Sequence, residues 1–485
     1  MNLDLRHLQD KSVIIMGLGL YEQGSGITSA KFAMKQGAKL LITDLKTEDK
    51  LSRPIAELQS LYNELLGHGF KVYPPRFVLG SHEGVDFSHA DLIIRNPGVP
   101  YHSPFLKVAH DNNVPVETDI SIFFKLFPGK IIGITGTRGK STTTTLIYEI
   151  LKAGGINVSL GGNIGISPLI NLDSASPDSF AVLELSSWLL ESLDPYKLSP
   201  HIGVFTNLLA DHLNVYPDME TYGRAKQAIF KYQKENDSAV FNFDNPYTQK
   251  IGWEWAGSKK FWFSCSSGLE GGNGAYLKDN KIILRLNSRD EEIIGADEVL
   301  LPGRHNLSNI LGAVTVAGIL NIDRSIIKNV LSSFGGLPNR LELIGECQGV
   351  KYYNDTTSTT PDALCAALES FGDKKIVLIA GGSEKNLDFK EAAGSIASKV
   401  KNLILLKDQA SFRLEKEILS CLDDSQCLLK IDWAATMEEA VQKAMDKADS
   451  GEIILLSPGC ASFGLFQNEF DRGAKFVTAV RRILG

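Results

Sequence analysis

The sequence predicts an α/β protein of three domains, and three observations carry that prediction. The chain has 485 residues, too many for one hydrophobic core. Short apolar, β-branched runs alternate with helix-length segments along most of it. Breaks at Pro128-Gly129 and at Gly335 to Arg340 divide that alternation into residues 1–127, 128–336 and 337–485.

Residues 12 to 44 read as strand, Gly-rich turn, helix, strand, the opening of a Rossmann-like domain. Gly17, Gly19 and Gly24 miss the G-x-G-x-x-G spacing, because the third glycine is two residues late. Asp44 ends the second strand, where a ribose-binding carboxylate often sits. A dehydrogenase and a binder of some other diphosphate-bearing ligand both stay open here. "DLIIRNPGVP" (91 to 100) is another buried strand, closed by the turn Asn96-Pro97-Gly98.

The second domain opens on "IIGITGTRGKSTTTTLIYEI" (131 to 150). Lys130 to Thr135 reads as a core strand and Ser141 to Leu151 as a helix. Between them Gly136, Thr137, Arg138 and Gly139 let backbone N–H groups converge, and a helix N-terminus adds free N–H groups and partial positive charge. Lys140 adds a full charge. The pattern suits a polyphosphate, with Ser141 placed to hold Mg²⁺ on it. The blander reading is a tight strand-to-helix turn, since the strict P-loop pattern wants glycine where Ile134 stands.

Glu184 ends the strand in "LELSSWLLE"; alone it is an ordinary strand-exit carboxylate, but beside a P-loop it suits a metal ligand or general base. Asp211-His212 follows another strand and Lys226 lies on the next helix; their weight comes from that company. Residues 258 to 300 suggest a small antiparallel excursion. The third domain repeats the βα alternation in "KIVLIAGG", "NLILLK" and "EIILLSPG".

Hydrophobic residues make up 43% and charged residues 22%, and the net charge is −7, which argues against a nucleic-acid partner. No signal peptide and no run of about 18 apolar residues is found, so a soluble cytoplasmic protein is expected. Six cysteines lack paired short spacing, which points to free thiols rather than disulfides or zinc.

Eight segments, "TGTRGKST", "GGNIG", "ELSSW", "TNLLADHLNVY", "YGRAK", "LPGRHNLSN", "LPNR" and "LLSPGCASF", occur in the order and spacing of the Mur ligases. The chain resembles that family over nearly its whole length. The resemblance implies an ATP-dependent ligase that adds D-glutamate to UDP-N-acetylmuramoyl-L-alanine (UDP-MurNAc-L-Ala) through an acyl phosphate, in a monomeric cytoplasmic enzyme. It implies that Gly136 to Thr142 (Gly136, Thr137, Arg138, Gly139, Lys140, Ser141, Thr142), Asn306, Asn309, Arg340 and Asp355 surround ATP. Ser141 and Glu184 are expected to hold one Mg²⁺, and His212 with Lys226, carbamylated by CO₂, a second. Gly17, Leu18, Gly19, Leu20, Asp44, Asn96, Pro97, Gly98, Asn163 and Ser186 are expected on the UDP-substrate, and Lys385, Ser462, Phe463, Thr357 and Thr359 on the amino acid.

The chain departs from that family's D-glutamate-adding member at Thr357, where a lysine is usual, at Gly464-Leu465, where Asp-Gln is usual, and at Leu189, where glutamine is common. Addition of L-glutamate is therefore the nearest variant. Folylpolyglutamate synthase shares the central domain but lacks a counterpart of residues 1 to 127. An oxidoreductase would leave the P-loop unexplained, and an inactive nucleotide binder would leave the full set of chemical positions unexplained.

Overall fold

Apolar runs form the strands of three sheets. The computed structural model describes residues 4–484 except 212–214, 256, 267, 270, 372–374, 385–386 and 422–428. These divide into two compact units, one of residues 1–293 with 309–327 and one of residues 294–308 with 328–485.

The first unit holds two sheets. In one, β1 (Ser12–Met16), β2 (Lys39–Asp44), β3 (Arg76–Leu79), β4 (Leu92–Arg95) and β5 (Val116–Glu117) lie in the order β3-β2-β1-β4-β5, all parallel. This is the doubly wound arrangement expected of the opening strand-turn-helix-strand. Side chains alternate across β1: Val13 and Ile15 enter one apolar core, Ile14 and Met16 another. The former core runs without interruption from Leu5 to Ile283, through both sheets of this unit.

The central sheet contains β6 (Lys130–Thr135), β7 (Val158–Gly162), β8 (Phe180–Glu184), β9 (Ile202–Phe205), β10 (Ser238–Asn242), β11 (Lys259–Ser264), β12 (Gly274–Lys278), β13 (Lys281–Leu286) and β14 (Arg289–Gly295). Their order is β14-β13-β12-β11-β10-β9-β6-β8-β7. β6 runs parallel between β8 and β9. The turns that leave these three strands therefore emerge side by side, and that register brings together residues 50 to 70 positions apart in sequence. The antiparallel excursion expected over 258 to 300 is smaller than expected and belongs to this sheet. β11 pairs parallel with β10, and β12 parallel with β11; β12 and β13 pair antiparallel, joined at Asp279-Asn280 with positive φ at both residues, the twist a two-residue hairpin needs.

The second unit carries β15 (Glu342–Cys347), β16 (Val350–Asn354), β17 (Ile376–Ala380), β18 (Val400–Leu406), β19 (Lys430–Ala434) and β20 (Ile453–Leu456), in the order β15-β16-β20-β17-β18-β19. Only β15 is antiparallel to its neighbour. β17 is buried throughout, and its side chains alternate: Ile376, Leu378 and Ala380 face one core, Val377 and Ile379 the other. Parallel strands covered on both faces are apolar at every position for this reason.

One charged side chain ties this unit's loops together. Arg472, on the helix Glu469–Leu484, is fully buried. Its Nε donates to Thr356 Oγ1 at 3.0 Å and its Nη2 to Thr356 O at 2.9 Å. Its Nη1 reaches the carbonyls of Cys460 and Ala461, each at 3.2 Å. The planar fork of arginine satisfies four acceptors on two loops at once, which a lysine cannot do. Arg472→Ala should leave those acceptors buried and unpaired and lower the stability of this unit by about 3 kcal/mol, with Arg472→Lys recovering only part. Denaturant unfolding measures this, and an unchanged midpoint for Arg472→Ala would refute the role.

Candidate active site

The turn after β6 is built so that only glycine fits at two places. Gly136 has φ +145°, and a Cβ there would meet Thr206 Oγ1 at 1.9 Å; Gly139 has φ +82°, and a Cβ there would meet Asn309 Oδ1 at 2.1 Å. The helix that follows starts one residue earlier than expected, at Lys140, and ends at Ala153. The end of β9 clamps the turn. Thr206 Oγ1 donates to Arg138 O at 2.7 Å, Arg138 N donates to Asn207 Oδ1 at 2.9 Å, and Thr137 N donates to Asn207 O at 2.9 Å. Lys140 folds back over the turn, its Nζ donating to Gly136 O at 3.0 Å and Thr137 O at 2.9 Å. A cation held by weak neutral acceptors beside a helix N-terminus can move onto a phosphate. Ser141 is half-buried at the same helix start, and Thr142 is buried.

Glu184, at the end of β8, is 2% exposed. Its Oε1 accepts from Asn163 Nδ2 at 3.0 Å, so Asn163, expected on the sugar-peptide, also holds this carboxylate. Its Oε2 is buried with no hydrogen-bond partner. An orphaned anionic oxygen beside a phosphate cradle fits Mg²⁺, which is bound through one or two carboxylates together with phosphate oxygens. Among the described residues no group of three His, Cys, Asp or Glu side chains could hold a metal by itself. Ser186 caps the short helix Ser187–Glu191, accepting from Leu189 N at 3.3 Å.

Lys226, on the helix Met219–Gln227, is 2% exposed, with its Nζ 4.6 Å from the centre of the Tyr222 ring. Burial, and then the charge of Lys140, pulls its ammonium down to about 7, against the opposing pull of Asp211 and Glu184. A large part of this amine is therefore neutral at neutral pH. His212 lies outside the described residues.

The turns of the first sheet form a second group. Gly17 has φ +89°, and a Cβ there would meet Asn96 Cβ at 2.9 Å. Asp44 organises the turn from within. Its Oδ2 accepts from Leu18 N at 2.8 Å and Gly19 N at 3.1 Å, and its Oδ1 from Lys46 N at 2.9 Å. The carboxylate thus shapes the turn that was expected to face the ligand. Leu20 is exposed, and Asn96 Oδ1 accepts from Gly98 N at 3.0 Å across Pro97.

In the second unit, Asp355 is buried among Ser358, Ser457 and the Leu341 backbone N–H. Burial raises its carboxyl to about 6, opposed in part by these hydrogen bonds and then by the charge of Arg340. Thr357 does not reach outward as a lysine would: its Oγ1 donates to Asn339 O at 2.8 Å. The Thr359 N–H bonds to Thr357 O at 2.9 Å. Ser462 is buried and Phe463 exposed, next to Gly464, whose N–H donates to Ser383 Oγ at 2.6 Å. A Cβ at Gly464 would meet the carboxylate of Asp408, at 2.1 Å from its Oδ2. Asn306 donates to Pro302 O at 2.8 Å. Lys385 lies outside the described residues.

Sequence reasoning missed Arg472, which fixes the loops bearing Thr357 and Ser462, and the Thr206-Asn207 clamp. The clamp had a signal: a Thr-Asn pair directly after a strand in the P-loop domain.

Comparison with known proteins agrees with this geometry. Residues 134–317 match the Mur ligase middle domain and residues 339–460 the Mur ligase glutamate ligase domain. A relative from Roseiflexus sp. (strain RS-1), named UDP-N-acetylmuramoylalanine--D-glutamate ligase, is 37% identical over 477 residues, covering 97% of this chain and 98% of its own. One of the same name from Acetivibrio thermocellus is 35% identical over 480 residues, covering 99% and 98%. Two solved structures share the fold: UDP-N-acetylmuramate-alanine ligase MurC from Thermotoga maritima (18% identity, TM-score 0.59, covering 97% of this chain and 99% of that one) and the MurF ligase of the same organism in complex with ADP (17% identity, TM-score 0.56, covering 99% and 97%). With a phosphate cradle and a buried carboxylate after neighbouring strands, a desolvated lysine that feels the charges of both, and full-length relatives above 30% identity, the chain belongs to the Mur ligase family.

Proposed function

We propose that this chain is an ATP-dependent ligase that joins D-glutamate to UDP-MurNAc-L-Ala, in cytoplasmic synthesis of peptidoglycan precursor. The observation that carries the chemistry is the grouping of Lys140 and the unpartnered oxygen of Glu184, which follow the neighbouring strands β6 and β8, with the desolvated amine of Lys226 on the helix Met219–Gln227, which feels both their charges. The substrate assignment rests on the relatives' names. The domains are residues 1–127 for the UDP-substrate, 128–336 for ATP and 337–485 for the amino acid, and the enzyme acts as a monomer. Among the described residues no helix is long and apolar enough to cross a membrane.

The carboxylate of the L-alanyl group attacks the γ-phosphorus of ATP, ADP leaves, and an acyl phosphate remains. The amine of glutamate then displaces phosphate and loses a proton. Lys140 and the N–H groups of the turn stabilise the charge that grows on the phosphoryl oxygens. Mg²⁺ would supply further charge neutralisation, held by Ser141 and Glu184 at one position and by His212 and Lys226 at another. For Lys226 to hold a cation its amine must change sign. A neutral lysine amine adds to CO₂, forming an N–C bond and releasing a proton, and the resulting carbamate offers anionic oxygen.

Lys140→Ala should lower the rate of ADP release at least about 10²-fold, the usual effect of removing one preorganised charge. Near-normal release would remove the turn from the reaction.

Lys226→Ala should be nearly inactive, and acetate or formate should restore part of the rate by supplying an oxygen ligand. Wild-type enzyme stripped of CO₂ should regain activity on adding bicarbonate, at a rate per unit of dissolved CO₂ that climbs with pH up to about 7 and then levels, because only the neutral amine reacts and only CO₂ reacts with it. A rate that kept rising to about pH 10, as for an ordinary lysine, would contradict the desolvated amine.

Thr357 offers no charge to the incoming amino acid, and its hydroxyl proton is already committed to Asn339 O. Thr357→Lys should lower the KM for D-glutamate roughly 10- to 100-fold, the value of one charge-assisted hydrogen bond of about 1.5–3 kcal/mol. Product formation with L-glutamate and none with D-glutamate would replace the substrate assignment.

A further inference from the structure

The turn after β1 and the loop after β7 belong to different sheets of the first unit, and a buried pair of side chains joins them. Asp119 begins the helix Asp119–Leu126, directly after its cap Thr118. It is 2% exposed. Its Oδ2 accepts from Ser167 Oγ at 2.7 Å, and its Oδ1 is buried with no hydrogen-bond partner. Burial raises this carboxyl above the usual range, opposed by Ser25 and then by Ser167. A sealed, half-satisfied carboxyl costs stability, and the steps of the reaction make no use of it.

Ser167 is the joint. It is buried. While its hydroxyl goes to Asp119, its N–H donates to Gln23 O at 2.7 Å. Gln23 lies at the end of the glycine turn of the first sheet. The helix that follows, Ser25–Lys35, is seated hard against that turn: a Cβ at Gly26 would meet Gly17 O at 2.2 Å and Leu18 O at 2.3 Å. On its other side Ser167 ends the loop that leaves β7. Gly162 N donates to Ile166 O at 2.8 Å, which closes that loop. Gly162 has φ +98°, and a Cβ there would meet Glu184 O at 2.2 Å. Asn163 grips Glu184 twice, its N–H donating to the carbonyl at 2.9 Å and its Nδ2 to Oε1 at 3.0 Å. An unbroken run of hydrogen bonds and tight backbone contacts thus leads from Gly17 and Leu18, through Gln23 and Ser167, to the Glu184 carboxylate. Asp119 anchors its middle.

Taking the first turn as a seat for the UDP-substrate and Glu184 as a Mg²⁺ ligand, as proposed above, we infer that Asp119 and Ser167 are positioning residues that couple the two sites. A ligand that fixes the turn fixes the joint at Ser167, and through it the loop that aims Glu184 at the metal-nucleotide. Coupling of this kind is reciprocal, so the metal-nucleotide in turn favours the UDP-bearing ligand. Asp119 and Ser167 do this from positions sealed from solvent.

Isothermal titration of the full chain with MgADP, with and without saturating UDP, tests this. In the wild type UDP is expected to lower the Kd of MgADP at least about 5-fold, the lower end of ordinary coupling between sites. Ser167→Ala and Asp119→Ala should bring that ratio near 1 while each ligand alone still binds. Asp119→Asn keeps an acceptor oxygen for the Ser167 hydroxyl and should keep most of the ratio. A merely structural role would lower the denaturant midpoint of the alanine variants and leave the ratio as it was. Ser167→Ala, which removes one oxygen atom, carries the test if Asp119→Ala does not fold. A wild-type ratio near 1 with both ligands bound, or a ratio unchanged in the alanine variants, would overturn the coupling and leave both sites standing. A wild type that bound neither UDP nor MgADP would remove the sites themselves, and the coupling with them.

Discussion

Lys226 sets the constraint around which the central sheet is arranged. An amine that is almost sealed from water loses much of its preference for the charged form, and the cation of Lys140 lowers it further. A protein that needed only a salt bridge would not bury a lysine within reach of the cation of Lys140. The same desolvation that makes the ammonium unfavourable makes the free amine available, and it accounts for the buried, half-satisfied Glu184 beside it. Both groups fit a site whose remaining charge arrives with the substrate and metal.

That arrangement depends on strand order. β6 lies between β8 and β9, so the glycine turn, Glu184 and the Thr206-Asn207 clamp leave neighbouring strands at the same edge. The clamp approaches so closely that no side chain fits at Gly136, and Asn309 leaves none at Gly139. The clamp's hydrogen bonds hold the turn's N–H groups in place without a nucleotide, which is how positioned donors gain their effect on developing charge. Arg472 does comparable work in the second unit, holding the loops of Thr356 and Cys460 to one helix.

The contiguous part of this site was legible in the sequence. Strand, turn and helix around Lys140 follow from periodicity and glycine placement within about 20 residues, and the βα alternation gave three sheets. Pairing in space was less legible. Lys259 to Ser264 has the composition of a strand, but composition does not say whether a strand pairs parallel or antiparallel, and its parallel partner β10 is decided by the sheet. Asp44 stands where a ribose ligand is expected, but that the adjacency of β1 and β2 also gives its Oδ2 the N–H groups of Leu18 and Gly19 could not be read from the sequence. Arg472 was invisible, because an arginine on an amphipathic helix is usually solvated. Thr357 was noticed as a missing charge, but only the structure gives its hydroxyl a partner.

The central claim, that Lys226 is a neutral and reactive amine by virtue of burial, is tested most directly by carbon-13 NMR of the protein equilibrated with labelled bicarbonate near neutral pH. The account predicts a carbamate resonance of about one equivalent that is absent from Lys226→Ala and persists in Lys140→Ala. A spectrum without that resonance, or one unchanged by the loss of Lys226, would contradict it.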